Sequence, residues 1–223
     1  MLEQNINEIN NRLARAALKR GISPVEITLV AVSKTVSAEQ IKQASALGIR
    51  HFGENRVQEA LPKIAAVPEP CWHFIGHLQT NKVKQVLDHF TLIQSLDRFK
   101  LATALQQEGE RRGCLINVLL QVNIGAEESK YGFAVEEIGD ALMAIAGFKH
   151  IRVQGLMAIA PFLYNPEELR PYFRHLYGIF KNLNIPGVEM KTLSMGMTND
   201  FEVAVEEGSN MVRIGTALFG VRA

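Results

Sequence analysis

Lys34 closes an apolar, β-branched run over residues 27–34 that reads as a buried strand. Period-two alternation puts Val30, Val32 and Lys34 on one face and Leu29, Ala31 and Ser33 on the other. A lysine at the dry carboxyl end of a strand is placed for nucleophilic chemistry, because losing hydration favours the neutral amine that attacks a carbonyl to form a Schiff base. The same residue also reads as a strand-end lysine snorkelling to water. A second group of residues lies near the other end of the chain. Ser194-Met-Gly-Met-Thr198 and Gly215-Thr216-Ala-Leu-Phe-Gly220 combine glycines, which let backbone amides come close to an oxyanion, with hydroxyls that donate to it. Each loop alone is an ordinary glycine turn; as a pair they favour phosphate. Arg213, two residues before the second loop, needs an acceptor, either a ligand or an ion pair with Glu54. His77 either faces a site or caps a helix, and Lys130 is either a solvated loop charge or a group reaching an anion over the site. The Arg111–Arg112 pair closes a helix, where basic side chains suit the macrodipole.

These residues must be held by a regular frame. Ile6, Ile9, Leu13 and Ala17 recur at helical spacing before Gly21 and predict an opening amphipathic helix. After Lys34, Ser37 is an N-cap with Gln40 at the third helical position, Val36 and Ile41 form a hydrophobic staple, and the helix stops at Gly48. Strands are expected at 27–34, 50–54, 72–76, 91–96, 115–123, 152–157, 190–195 and 211–214. Helix starts are signalled by Thr80, Asp97 and Asn165-Pro166. Eight βα units within 223 residues predict an α/β fold, a single-domain (β/α)8 TIM barrel over residues 1–223 with an extra N-terminal helix. An open doubly wound sheet is the alternative, but its glycine-rich phosphate turn is missing after the first strand. The strand ends then carry Lys34, Glu54-Asn55, Gly76-His77, Asn123, Met157, Ser194 to Gly196 and Arg213 to Thr216. In the barrel, that is the end where sites are built.

Composition narrows the partners. With 24 basic against 23 acidic residues the net charge is +1, so no electrostatic footprint for nucleic acid or a membrane surface is present. Cys71 and Cys114 are far apart and read as two reduced, buried thiols. The N-terminus has no apolar signal core, and no apolar stretch approaches the roughly 20 residues that span a bilayer. A cytoplasmic protein acting on a small molecule is expected.

Five ordered motifs carry a resemblance. The lysine strand, His51-Phe-Gly-Glu-Asn-Arg-Val-Gln-Glu59, His73-Phe-Ile-Gly-His-Leu-Gln-Thr-Asn-Lys82, Ser194-Met-Gly-Met-Thr-Asn-Asp200 and Val212-Arg-Ile-Gly-Thr-Ala-Leu-Phe-Gly220 together resemble the pyridoxal phosphate homeostasis proteins, nearly end to end. The resemblance implies the barrel of the alanine racemase N-terminal domain, with pyridoxal 5'-phosphate (PLP) held as a Schiff base on Lys34. It implies a cofactor-binding set of Lys34, Asn55, His77, Ser194, Met195, Arg213, Gly215 and Thr216. Within that set Ser194, Gly215 and Thr216 look like phosphate ligands, and Arg213 looks like the residue facing the pyridine nitrogen. Lys130 lies in a segment similar to the racemases' substrate-side basic residue and marks a possible second PLP site, and Thr198 stands where many members have serine. The racemases take a second base, a tyrosine, from a C-terminal β-domain; this chain ends at Ala223, and of its tyrosines only Tyr131 lies near a strand end in a candidate site loop. The implied role is a carrier in intracellular PLP homeostasis that passes the cofactor to apo PLP-dependent enzymes, without catalytic or metal-binding residues; a monomer is expected because a closed barrel leaves no strand edge for pairing. The competing readings are an amino-acid racemase using Lys34 and Tyr131, and an aldolase-type barrel forming a Schiff base with a phosphorylated sugar.

Overall fold

The computed structural model describes residues 1–127 and 131–220. Eight parallel strands close into a barrel in chain order, with β8 hydrogen-bonded back to β1. They are β1 (Thr28–Val32), β2 (His51–Glu54), β3 (Cys71–Phe74), β4 (Leu92–Leu96), β5 (Ile116–Val122), β6 (Ile151–Ala158), β7 (Thr192–Ser194) and β8 (Met211–Ile214). Every expected strand is present; most are shorter by one to three residues at one or both ends, and β6 is two residues longer.

The alternation of β1 divides two cores. Val30 belongs to the barrel interior with Leu92, Leu119, Met157 and Met211. Ala31 belongs to the layer between strands and helices. Val30 is in register with His51 on one side and Arg213 on the other, so the inward face continues across the seam where the barrel closes. Lys34, of the same parity, leaves the carboxyl mouth.

The outer layer comprises α2 (Ala38–Ala46), α3 (Val57–Ala66), α4 (Val83–Leu87), α5 (Phe99–Arg112), α6 (Ile138–Ala146), α7 (Arg170–Asn182), α8 (Phe201–Glu206) and α9 (Thr216–Phe219). Helix α2 has the expected capping box, with Ser37 accepting from the Gln40 amide, and buries Val36 and Ile41. Thr80 begins a 3-10 turn before α4, and Asn165 caps the turn Pro166–Leu169 ahead of α7. Asp97 does not cap α5; its carboxylate is taken by His77 and Arg98. Arg111 and Arg112 close α5 as expected, both holding Glu108. The last helix, α9, is only four residues long. The extra N-terminal helix α1 (Leu2–Arg20) makes up for it by lying against α8 and α9. Asn5 donates to the Leu218 carbonyl at 2.9 Å, and Arg12 pairs with Glu202 at 2.6 Å while covering the Phe201 ring.

Both cysteines are exposed, contrary to the expectation of buried thiols. Cys71 opens β3 at the barrel's amino end and Cys114 follows the Gly113 turn after α5, so neither reaches a packed layer. Among the described residues, no helix is long and apolar enough to cross a membrane.

Candidate functional site

A cleft of about 530 Å³ opens at the carboxyl end of the barrel. Lys34, Arg213, Thr198, Gly215 and Thr216 line it, together with residues 159–163 after β6. Residues nearly 180 positions apart in sequence thus meet, because β1 and β8 are neighbours in the closed sheet. Gly215 fits this close approach: a Cβ there would lie tightly, 3.3 Å from both the Cβ and the carbonyl oxygen of Val32. At Gly196 the backbone has φ +94, and a Cβ would fall 2.6 Å from the Ala204 Cβ. Both loops therefore depend on glycine for shape as well as for amide access.

Lys34 is half-buried, and its backbone is tightly held. The Ser33 carbonyl accepts from Val36 N at 3.0 Å and from Lys63 Nζ at 2.7 Å. Lys63 also donates to Glu54 Oε1 at 2.7 Å, and Ser33 Oγ donates to the same oxygen at 2.6 Å. Glu54 is fully buried, and among the described residues its Oε2 has no hydrogen-bond partner. Of the two alternatives for Arg213, the ion pair with Glu54 is not formed: Glu54 points outward to α3, while Arg213 points into the barrel. On the other side of Lys34, Thr35 adopts φ +64, an unusual conformation for a β-branched residue.

Arg213 forms the floor of the cleft and is almost entirely buried. Its Nη1 donates to the Ser194 carbonyl at 2.9 Å and to Ser194 Oγ at 2.6 Å, and its Nη2 donates to the Ala158 carbonyl at 2.7 Å. Burial pushes the guanidinium down to about 10, which leaves it charged at neutral pH. Asp200, buried on the cleft wall, accepts from the Met197 amide at 2.5 Å; loss of hydration raises its carboxyl above the usual range, opposed by that amide and by the Arg213 charge.

The remaining expected residues are spread more widely. Ser194 lies beneath the cleft with its hydroxyl committed to Gln94 and Arg213, and Met195 is buried in the outer core. Asn55 and His77 line a second cavity of about 420 Å³ beyond the ends of β2 and β3. His77 caps no helix; its Nδ1 sits 2.6 Å from Asp97 Oδ2 and its ring stacks on Tyr131 at 3.8 Å. Tyr131 is thereby occupied beside the second cavity, away from the Lys34 cleft. Lys130 lies outside the described residues.

Sequence reasoning missed Lys63, Gln94 and His73. Lys63 carried a signal: with Val57, Ala60 and Ile64 it falls on the buried stripe of α3, where an unpaired charge is excluded. Gln94 and His73 are polar residues within short apolar strands; the pairing of β3 with β4 brings them together, and the closed barrel brings Gln94 to Ser194 and Met211.

The alanine racemase N-terminal domain model matches residues 2–223. A pyridoxal phosphate homeostasis protein of Aquifex aeolicus is 41% identical over 222 residues, spanning 98% of this chain and 97% of its own. PipY of Synechococcus elongatus PCC7942, whose structure was solved with PLP bound, is 31% identical, with a TM-score of 0.84 over 99% of this chain and all of its own. An alanine racemase from Corynebacterium glutamicum, 17% identical with a TM-score of 0.70, covers 97% of this chain with 61% of its own, and shares the fold alone. The chain belongs to the alanine racemase N-terminal domain family and, by its full-length relatives, to the pyridoxal phosphate homeostasis proteins within it.

Proposed function

We propose that this protein binds pyridoxal 5'-phosphate through Lys34 and serves to store, buffer and deliver that cofactor in the cytoplasm. The observation that carries this reading is the meeting of Lys34, Arg213 and the two glycine loops around one cleft of about 530 Å³. The donor set fits a phosphorylated carbonyl compound: an amine, a buried guanidinium, two threonine hydroxyls, and Gly215, where a Cβ would crowd Val32. The volume suits a small cofactor. Relatives named pyridoxal phosphate homeostasis protein, and the PLP-bound structure of PipY, support the same ligand.

When bound, the cofactor supplies an aldehyde, the group with which a lysine amine condenses. Lys34 provides that amine from a turn whose preceding carbonyl is held by Lys63 and Val36. Thr198, Gly215 and Thr216, which line the cleft, would hold the phosphate. Arg213, which can only donate, would hold a ring nitrogen beside it unprotonated and so limit electron withdrawal by the ring. Ser194 contributes by fixing Arg213, and Asn55 and His77 border the site from the adjoining cavity. A carrier needs this binding apparatus and a way out, and the half-buried Lys34 leaves the cleft accessible to an apo-enzyme or an incoming amine. The monomer is the acting unit, since a closed barrel leaves no strand edge for pairing.

The test is the visible spectrum of the protein with added PLP, before and after borohydride, beside Lys34→Ala. A band that reduction removes and the variant lacks supports the reading. A wild-type protein that gains no such band, or a variant that keeps it, overturns the assignment.

A further inference from the structure

Inside the barrel, Arg213, Ser194, Gln94, His73 and His51 form a chain of hydrogen bonds, and its direction is set at Arg213. A guanidinium can only donate, so Ser194 Oγ, 2.6 Å from Arg213 Nη1, accepts there and gives its own proton to Gln94 Oε1 at 2.7 Å. That orients the Gln94 amide. Its Nε2 lies 2.8 Å from His73 Nδ1 and 3.2 Å from Met211 Sδ, so each of its two protons has an acceptor. His73 Nδ1 therefore accepts, its proton sits on Nε2, and it donates to His51 Nδ1 at 3.0 Å. Turning the amide over would aim a second donor at the serine oxygen and leave the serine proton without an acceptor.

We propose that Gln94 is a positioning residue for Arg213, and that the chain it centres ties the guanidinium at the carboxyl mouth of the barrel to the protonation of His51 at the amino mouth. His51 borders a hollow of about 310 Å³ at the amino ends of β1 and β2, within reach of solvent. A charged His51 must carry a proton on Nδ1, which would then face the proton on His73 Nε2 across 3.0 Å. Relief requires His73 to change tautomer, Gln94 to turn over and the Ser194 proton to lose its acceptor beside Arg213. The chain thus holds both histidines neutral, in the same direction as their burial. Among the described residues, the titratable groups around His51 are His73 and its register partner Cys71 on β3, and Arg50 beside it, whose guanidinium is bound to the Ser45 carbonyl. Helix α1 and β1 line the hollow with Asn10 and Thr28.

The consequence for PLP rests on the proposed role of the cleft, so the test begins without ligand. In protein with 15N-labelled histidine, His73 is expected to carry its proton on Nε2, and His51 to stay neutral well below its ordinary range. Gln94→Glu puts acceptors toward both Ser194 and His73. It should switch His73 to the Nδ1 proton and raise the His51 midpoint by one pH unit or more. Ser194→Ala, a small change, should cut Arg213 from the chain and make the minor His73 tautomer visible. Gln94→Met should weaken PLP binding about tenfold. A wild-type His73 protonated on Nδ1, an unmoved His51 midpoint in Gln94→Glu, or an unchanged PLP affinity in Gln94→Met overturns the proposal. If Gln94→Glu does not fold, an unaltered His73 in Ser194→Ala overturns it instead. A protein that shows the tautomer and its reversal but takes up no PLP supports the chain and overturns only the cofactor reading.

Discussion

The ammonium of Lys63 donates to the Ser33 carbonyl at 2.7 Å, so the backbone immediately before the cleft lysine is held by a second, buried lysine. The same ammonium neutralises Glu54 at 2.7 Å, and helix α3 is thereby coupled to the turn that carries Lys34. Removing Lys63 leaves a fully buried carboxylate with the Ser33 hydroxyl but without its cation. We expect Lys63→Met to cost about 3–5 kcal/mol in urea unfolding, and the added change Glu54→Gln to recover much of that. A loss below about 1 kcal/mol would show that Glu54 finds another partner.

Thr35 follows Lys34 at φ +64, where a β-branched side chain is strained. Thr35→Gly should relieve that strain by about 1–3 kcal/mol and lose somewhat less in unfolded-chain entropy, for a net gain of about 1 kcal/mol. The same freedom loosens the turn, so PLP affinity should fall as stability rises. Thermal unfolding and a PLP titration on one preparation check both signs.

At the seventh strand end the backbone depends on Gly196, with φ +94 and no room beside Ala204. Gly196→Ala should lower stability by about 2 kcal/mol and weaken phosphate contact together, because the collision moves the loop that carries Thr198. Circular dichroism melts compared with a PLP binding curve measure the two effects.

His73 makes folding depend on pH. Burial, with a smaller contribution from the nearby His51, pushes it down to about 3. Its folded value lies below the ordinary histidine value near 6.5, so the unfolded chain binds the extra proton. Stability is therefore complete above about pH 6.5 and declines as pH falls toward 3, by a few kcal/mol in all, roughly 1.4 kcal/mol for each pH unit of the interval. His51, lowered by burial, acts in the same direction. Urea unfolding at a series of pH values should show this slope, and His73→Gln should flatten it. An identical slope in the variant would assign the acid sensitivity to other groups.

Lys34 at a dry strand end, the capping box at Ser37, the paired glycine loops and eight alternating βα units are all local patterns, set by side-chain period and turn chemistry within a few residues. The sequence by itself therefore determined the barrel, the lysine and the two loops around it. Tertiary structure decided the partners. Glu54 pairs with Lys63 rather than Arg213 because strand parity sends it outward, to the helix layer. Ser194 meets Gln94 across the interior from 100 positions away, which withdraws its hydroxyl from the cleft to hold Arg213. His77 turns to Asp97 and Tyr131. The first and last follow from how neighbouring strands and helices pack, while the meeting of Ser194 with Gln94 depends on which strands face one another once β8 pairs with β1, and the strand spacing in a sequence carries no record of the side chains across a closed barrel.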